Sequence, residues 1–526
     1  MELRPSRWVL ILALALAGFS FLVAGWALPI ARWLIATGLP IFPGLQDAAY
    51  YGSRLRVTAL AWGLVFPVFA VTAAALRRAW TRSNSHGDRG APWPPWPVAL
   101  WLLVILAVVA AVPRERTGDE PSYLAMARAV ATRGSLVLTA QDGDAHLSLA
   151  SKEPRSVHSA GISLLVAAPM ALLGQVGVLL ALALLSFGFL LYLWKLLAAV
   201  VGEQLAGFVA VLLAASFPVV AYSALVLPEM AGAFGLILLH WRLVHKRQPD
   251  LGCAAALAWL PWLHVRFLAG AAIYCLYGLL RAEAGHRRRA IGYLLVPLGA
   301  SLLAMAYFHQ RWFGSPSPLA MWGNRHGLIV WSESLAGSLG VLVDQQYGLL
   351  FWAPIMLLVP LGFIRCLRRA REEALLIAVI IAATAGPGIL HQWWAGWSPG
   401  ARFLVPVTGH LALLAALGLE QARQGHAVDR LLAGLAATGQ LLLGLVSALV
   451  PGKAFGTFEA IPRNYFLDLL GRFLHAGSFR STLCLRAAHG WGQVALALLL
   501  VVGWLVGSLR WARRLDRLSP AGEGHD

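Results

Sequence analysis

The sequence predicts an all-α polytopic membrane protein, and three observations predict it. The 526-residue chain is 59% hydrophobic and only 13% charged. Apolar runs of membrane-spanning length recur from one end to the other, more than any soluble domain needs. Those runs are continuous Leu/Ala/Val stretches that do not alternate, which excludes a β-barrel.

Window hydropathy gives about fourteen spans, near residues 8–30, 57–76, 98–113, 176–197, 204–221, 223–243, 251–264, 267–281, 290–308, 347–365, 374–390, 403–420, 431–450 and 491–509. The first follows Arg4 and Arg7 as a signal peptide would. It is longer than a signal h-region and lacks a convincing cleavage site, so it reads as a retained anchor. The spans at 251–264 and 267–281 are short and read either as two crossings or as one re-entrant pair. The tight basic clusters Arg77-Arg78, Lys246-Arg247, Arg287-Arg288-Arg289, Arg368-Arg369 and Arg513-Arg514 all fall on one side, which the positive-inside pattern makes cytoplasmic, with both termini. The chain divides into two added N-terminal helices and a Pro-rich cytoplasmic linker (1–97), a transmembrane core (98–420), and C-terminal helices with an outer loop and a cytoplasmic tail (421–526).

The formal net charge is +18. It is scattered over short loops and leaves no basic domain that could read a nucleic-acid groove. The four cysteines, Cys253, Cys275, Cys366 and Cys484, offer neither an external disulfide pair nor metal-ligand spacing. No Gly-rich phosphate loop, HExxH or nucleophile elbow is present, so no metal and no nucleotide or flavin cofactor is implied.

The polar residues gather in the outer loops instead. In the first, Gly118-Asp119-Glu120-Pro121-Ser122-Tyr123 opens a helix that Gly134 closes. Asp119 or Glu120 is the natural N-cap, and Pro121 sits in the first turn. Two adjacent carboxylates at a membrane boundary are costly, because charge slightly inside lipid is disfavoured. Taken alone, the pair is at least as well explained as a cap whose first-turn amides favour negative charge. Glu229, after Pro228, reads equally as an interfacial carboxylate or as part of a site. His264-Val265-Arg266 interrupts an apolar stretch and therefore faces an outer turn or a wet cavity. Asp344 reads first as a partner for a nearby arginine, and His158 as a satisfied loop histidine. Trp393, Trp394 and Trp397 suit either a sugar-stacking face or an ordinary interfacial belt.

The segments GDEPSYLAMARAVATRGSL (118–136), HSAGISLLVAAPMALLG (158–174), LPEM (227–230), LPWLHVRF (260–267), DQQYGLLFWAP (344–354) and WWAGWSPGARFLVP (393–406) stand in an order that resembles the GT-C glycosyltransferases. Within that group the chain looks like the protein O-mannosyltransferases, the lipid A aminoarabinose transferases and related bacterial enzymes. The resemblance covers roughly residues 98–410. The chain departs from the family in its two extra leading spans and in having His158-Ser159-Ala160-Gly161 where an HPPG-like turn is usual.

The resemblance implies a GT-C-like bundle whose first large extracytoplasmic loop carries surface helices. It also implies an inverting transfer of one sugar from a polyprenyl-phosphate donor to a lipid, glycan or protein hydroxyl outside a bacterial cytoplasmic membrane. In that scheme Asp119 is the base, Glu120 positions a sugar, and Arg402 holds the donor phosphate with its planar fork. Tyr123, His158, Glu229, His264, Arg266, Asp344 and Trp394 are the further candidates for binding substrate. A transporter or flippase of lipid-linked sugars would instead place ionisable residues at mid-span and show internal repeats. The sequence shows its charges at helix ends, and a non-catalytic scaffold would not need the acidic pair and the arginine together.

Overall fold

The computed structural model describes residues 118–143, 145–323, 334–345, 347–392, 400–449, 485 and 491–516, with scattered positions between 15 and 63. Nearly all of the expected span 57–76, the span 98–113, the linker, Trp394 with its neighbours 393–399, and nearly all of the loop 451–490 lie outside the described residues. Among those described, the regular structure is helical, and extended pairing is limited to an isolated bridge between Leu147 and Ser156.

Helix α1 (Glu120–Arg133) begins at the acidic pair and ends on Gly134, whose φ of 63° lets its N–H reach the Val130 carbonyl. The sequence predicts a helix lying on the surface, and the structure differs. Eight of its fourteen residues are buried, because Ala125, Ala127 and Ala129 let it pack closely into the bundle. A short loop follows, pinned by Asp142. This carboxylate takes both Arg133 nitrogens at 2.9 and 2.7 Å and the Thr139 N–H at 2.6 Å. The Arg133 bonds, opposed by burial, hold Asp142 down at about 2.

Helix α2 (Gly161–Val201) is two helices joined at Gly174, where φ is 59°. Its first part precedes the span expected at 176–197. Helices α3 (Glu203–Ala214) and α4 (Phe217–Tyr222) lead to α5 (Pro228–His240), which begins on a proline and runs into a wide π turn over Trp241–His245. Helices α6 (Leu251–Leu263) and α7 (Arg266–Leu280) are broken only at His264-Val265. Helices α8 (Val296–Phe313), α9 (Ser334–Val343), α10 (Val359–Arg369), α11 (Arg371–Gln392), α12 (Thr408–Gln424), α13 (Ala427–Leu449) and α14 (Trp491–Asp516) complete the described bundle.

Among the described residues, five helical stretches are long and apolar enough to cross a membrane: Gly161–Val201, Ala284–Phe313, Arg371–Leu390, Arg402–Gln424 and Gly492–Asp516. Apolar side chains such as Leu172, Leu184, Leu303 and Leu499 lie exposed on them, as a lipid-facing surface requires. The chain is an integral membrane protein. The innermost stretch is α12, 89% of whose apolar window is covered by protein. It crosses α10 at Gly362 and Gly418, each of whose Cα lies against the other helix's backbone. Small residues allow that approach where lipid supplies no hydrophobic drive for helices to associate.

Candidate active site

Four helix starts or turns meet at one end of the bundle and bring charged side chains together. Asp119 stands just before α1. It occupies the N-cap position, yet its carboxylate makes no hydrogen bond to the helix amides. It accepts instead from Arg402 Nη2 at 2.6 Å. Arg402 begins the 3₁₀ turn Arg402–Val407 that enters α12, and its Nε donates to Glu229 Oε1 at 2.7 Å. The same Glu229 oxygen accepts from Arg266 Nη2 at 2.8 Å. The faces of Phe267 and Phe403 flank the Arg266 guanidinium at 5.0 and 5.2 Å.

The result is a continuous chain of carboxylate, guanidinium, carboxylate and guanidinium, drawn from four parts of the sequence. Glu229 is wholly buried, Arg266 and Arg402 are 4% and 8% exposed, and Asp119 is the most open member at 16%. A buried charge of this kind is tolerated only when paired. Glu229 Oε2 and Tyr123 Oη are buried with no hydrogen-bond partner among the described residues. Both are polar atoms left to meet a ligand or solvent at this site.

Histidines form the other wall. His158 Nε2 lies 3.7 Å from Asp119 Oδ1, and His146 Nδ1 lies 3.3 Å from His158 Nε2. Tyr123 and His158 are 5.2 Å apart between ring centres. Burial takes His158 down to about 4, with the Asp119 charge opposing it. Burial also pushes Asp119 up. The charges of Arg402 and His158 and the hydrogen bond from Arg402 outweigh that, so its carboxyl stays below the ordinary carboxylate value. Burial pushes the Tyr123 phenol up. At neutral pH Asp119 is therefore a carboxylate and His158 is neutral. Asp119, His146 and His158 each offer a ligand atom, all within 4.8 Å of one another. That set could hold a divalent cation, for which the sequence offers no motif.

The remaining candidates separate. Glu120 is buried, and its Oε1 accepts the Val226 N–H at 3.2 Å, tying the start of α1 to the turn before α5. His264 accepts the Arg266 N–H on Nδ1 at 3.3 Å and faces Trp322 at 6.0 Å between ring centres, beside the charged chain. Asp344 takes a different part. It accepts the Tyr347 N–H at 2.8 Å and the Leu485 N–H at 2.7 Å. The Tyr347 carbonyl in turn accepts the Ala401 N–H at 2.8 Å. Ala401 has a φ of 62°, a conformation costly for any residue with a Cβ. Asp344 thus sits one step behind Arg402, fixing the strained turn that aims it. Trp394 is outside the described residues.

Sequence reasoning missed His146 and Trp322. His146 lies in the acidic loop with no distinguishing motif, and only folding brings it to His158. A narrow groove opens beside the site, with Met126, His158, Trp262, Met305, Trp312 and Phe313 among its walls. Arg155 lies over Trp312 at 4.9 Å on the same wall.

Fold and site together define a helical integral membrane protein with a buried carboxylate–guanidinium centre at one end of its bundle. The chain is similar to the solved structure of ArnT from Cupriavidus metallidurans in the apo state, at 16% identity and a TM-score of 0.42, over 80% of this chain and 75% of that one. It is likewise similar to ArnT from Cupriavidus metallidurans bound to undecaprenyl phosphate, at 15% identity and a TM-score of 0.43, over 79% and 77%. No protein-family model and no curated protein matches the sequence.

Proposed function

We propose that this protein is an inverting glycosyltransferase of the GT-C type, which moves one sugar from a polyprenyl-phosphate donor to a lipid, glycan or protein hydroxyl on the outer side of a bacterial cytoplasmic membrane. The observation that carries the reading is the Arg402 guanidinium held between Asp119 and Glu229. A helix-capping aspartate would face the amides of α1; this one faces a cation on a distant helix.

The chemistry requires a group to hold the leaving phosphate, a base for the acceptor proton, and an apolar channel for the lipid. Arg402 and Arg266 supply the cations, and a planar guanidinium suits a phosphate's paired oxygens. An arriving phosphate competes with Asp119 for Arg402. As that pairing loosens, the carboxylate loses the charge that depresses its pKa and becomes a better base. The acceptor hydroxyl then loses its proton to Asp119 while its oxygen forms the new bond at the anomeric carbon. The lipid phosphate leaves with the electron pair of the broken C–O bond. Glu229 keeps both arginines in place, Tyr123 and His158 border the reacting carboxylate, and the apolar groove takes the prenyl chain.

The test is transfer in nanodiscs from a panel of labelled polyprenyl-phosphate sugars to a membrane extract. Asp119→Asn should lose at least about 100-fold in rate, the range general-base removal gives. Full transfer by a folded Asp119→Asn protein would remove the base from this scheme. A second reading, movement of lipid-linked sugars across the membrane, is favoured by one observation: His410, Tyr274 and His240 form a buried hydrogen-bonded chain within the bundle, where the sequence suggested charges only at helix ends. Donor translocation without label transfer would select it.

A further inference from the structure

A second polar cluster lies at the far end of α5 from Glu229. His240 closes that helix, and the π turn after it brings His245 round towards the same side. An ordinary α-turn would leave residues five apart on different faces. The wide i→i+5 turn aligns them, and such turns are rare and concentrate at functional positions. Glu373, in the first turn of α11, meets both rings. His240 Nε2 lies 3.0 Å and His245 Nε2 2.8 Å from the same oxygen, Glu373 Oε1.

We propose that His240, His245 and Glu373 form a binding site for a borderline divalent transition metal of the zinc class, separate from the Asp119 centre. The three ligand atoms all lie within 4.8 Å of one another. A tetrahedral ion with bonds of about 2.0–2.1 Å needs ligand atoms about 3.3 Å apart, so separations of 3.0 and 2.8 Å require shifts of only a few tenths of an ångström. Two imidazole nitrogens and one carboxylate oxygen match zinc and its neighbours better than magnesium or calcium. His240 is fully buried, while His245 and Glu373 are 18% and 14% exposed, which leaves a way in and a place for a water as fourth ligand.

The outer shell is also in place. A metal-bound imidazole uses its other nitrogen as a donor to a fixed acceptor. His240 Nδ1 faces Tyr274 Oη at 2.9 Å, and Tyr274 Oη faces His410 Nε2 at 2.6 Å. Without metal, the protons run His410 Nε2–H to Tyr274, Tyr274 O–H to His240 Nδ1, and His240 Nε2–H to Glu373. With metal on His240 Nε2, that proton resides on Nδ1 and donates to Tyr274, whose own proton turns to His410 Nε2. The His410 proton moves to its Nδ1. Each ring stays neutral and no proton is lost from the chain. The ion joins the end of α5 to the start of α11. The opposite end of α5 carries Glu229, so the clamp bears on the helix that holds both active-site arginines.

The experiment uses the full-length protein, purified with a tag free of histidine and stripped with a chelator. Co²⁺ and Zn²⁺ are the probes, read by the visible absorption of cobalt and by calorimetry. The wild type should bind one equivalent with a tetrahedral cobalt band. His245→Ala and the near-isosteric Glu373→Gln should each remove the band, and Tyr274→Phe should weaken binding by about 10- to 100-fold, as loss of an outer-shell partner does. His146→Ala should keep the band, which separates this site from the group around Asp119. No binding by wild type, or a band that survives both His245→Ala and Glu373→Gln while His146→Ala removes it, would overturn the proposal.

Discussion

Replacing Arg402 by lysine tests the central contact most sharply. Removing the charge altogether would strand Asp119 and leave Glu229 with Arg266 alone, at the about 3–5 kcal/mol that breaking a buried pair costs, and folding itself would be at risk. Lysine keeps the charge but carries it on a compact, strongly hydrated ammonium without the planar fork. Arg402 now reaches Asp119 through Nη2 at 2.6 Å and Glu229 through Nε at 2.7 Å. One of those two charge-assisted bonds is lost or lengthened in Arg402→Lys, and such a bond is worth about 1.5–3 kcal/mol. The same loss applies when a phosphate occupies the fork, so polyprenyl-phosphate affinity should fall about 10- to 100-fold. The assay is titration of polyprenyl phosphate into purified protein in nanodiscs, with a thermal melt to establish folding. Wild-type affinity in a folded Arg402→Lys protein would show that the donor phosphate does not sit on this guanidinium.

Two other predictions concern the groups around it. Burial holds His158 at about 4, against about 6.5 for a free histidine, so the unfolded chain takes up a proton that the folded protein refuses. Stability should be level in this respect above about pH 6.5 and fall by about 3 kcal/mol in all as the pH drops towards 4. Thermal melts of His158→Gln across that window should show a shallower decline, and an unchanged slope would count against the burial argument. Asp344→Ala strands the N–H groups of Tyr347 and Leu485, at about 1–3 kcal/mol each, and loosens the Ala401 turn. Polyprenyl phosphate should bind more weakly to the folded variant, with part of the loss recovered in Asp344→Asn; undiminished binding would reduce Asp344 to a stability role.

The helical membrane class was legible because hydropathy acts locally. Each span in the described part of the bundle, from 176–197 onwards, coincides with one or more helices, and the Gly134 cap lies where a left-handed residue must end α1. The burial of α1 was not legible, since a helix of small residues carries little amphipathic signal and its covering comes from elements distant in sequence. The same reason hid His146, which meets His158 only in the fold. Asp119, Glu229, Arg266 and Arg402 could each be picked out, because a charge beside an apolar run is costly wherever it occurs. That they form one chain could not be read, since pairing over 173 or 283 positions of sequence leaves no local trace. The cluster of His240, His245 and Glu373 escaped for a related reason: a spacing of five residues has meaning only once the π turn is known.

In the proposed reaction, the charge count of the site says which contact must yield to a donor phosphate. Asp119, Glu229, Arg266 and Arg402 balance as a set, so a phosphate brings negative charge into a pocket that has none to spare. Two arginines clamp Glu229 on a single oxygen, and it has no exposure, so moving it would uncover both guanidiniums at once. Asp119 is held by one nitrogen of Arg402 and is the most open of the four. The contact between Asp119 and Arg402 is therefore the weak link, and in the proposed reaction it is the place a phosphate would take. On that proposal, its arrival would convert the carboxylate from a structural counter-ion into a base at the moment a sugar is within reach. An aspartate already free before donor binding would have no such dependence, and a site built that way would have no use for an arginine shared between two acids.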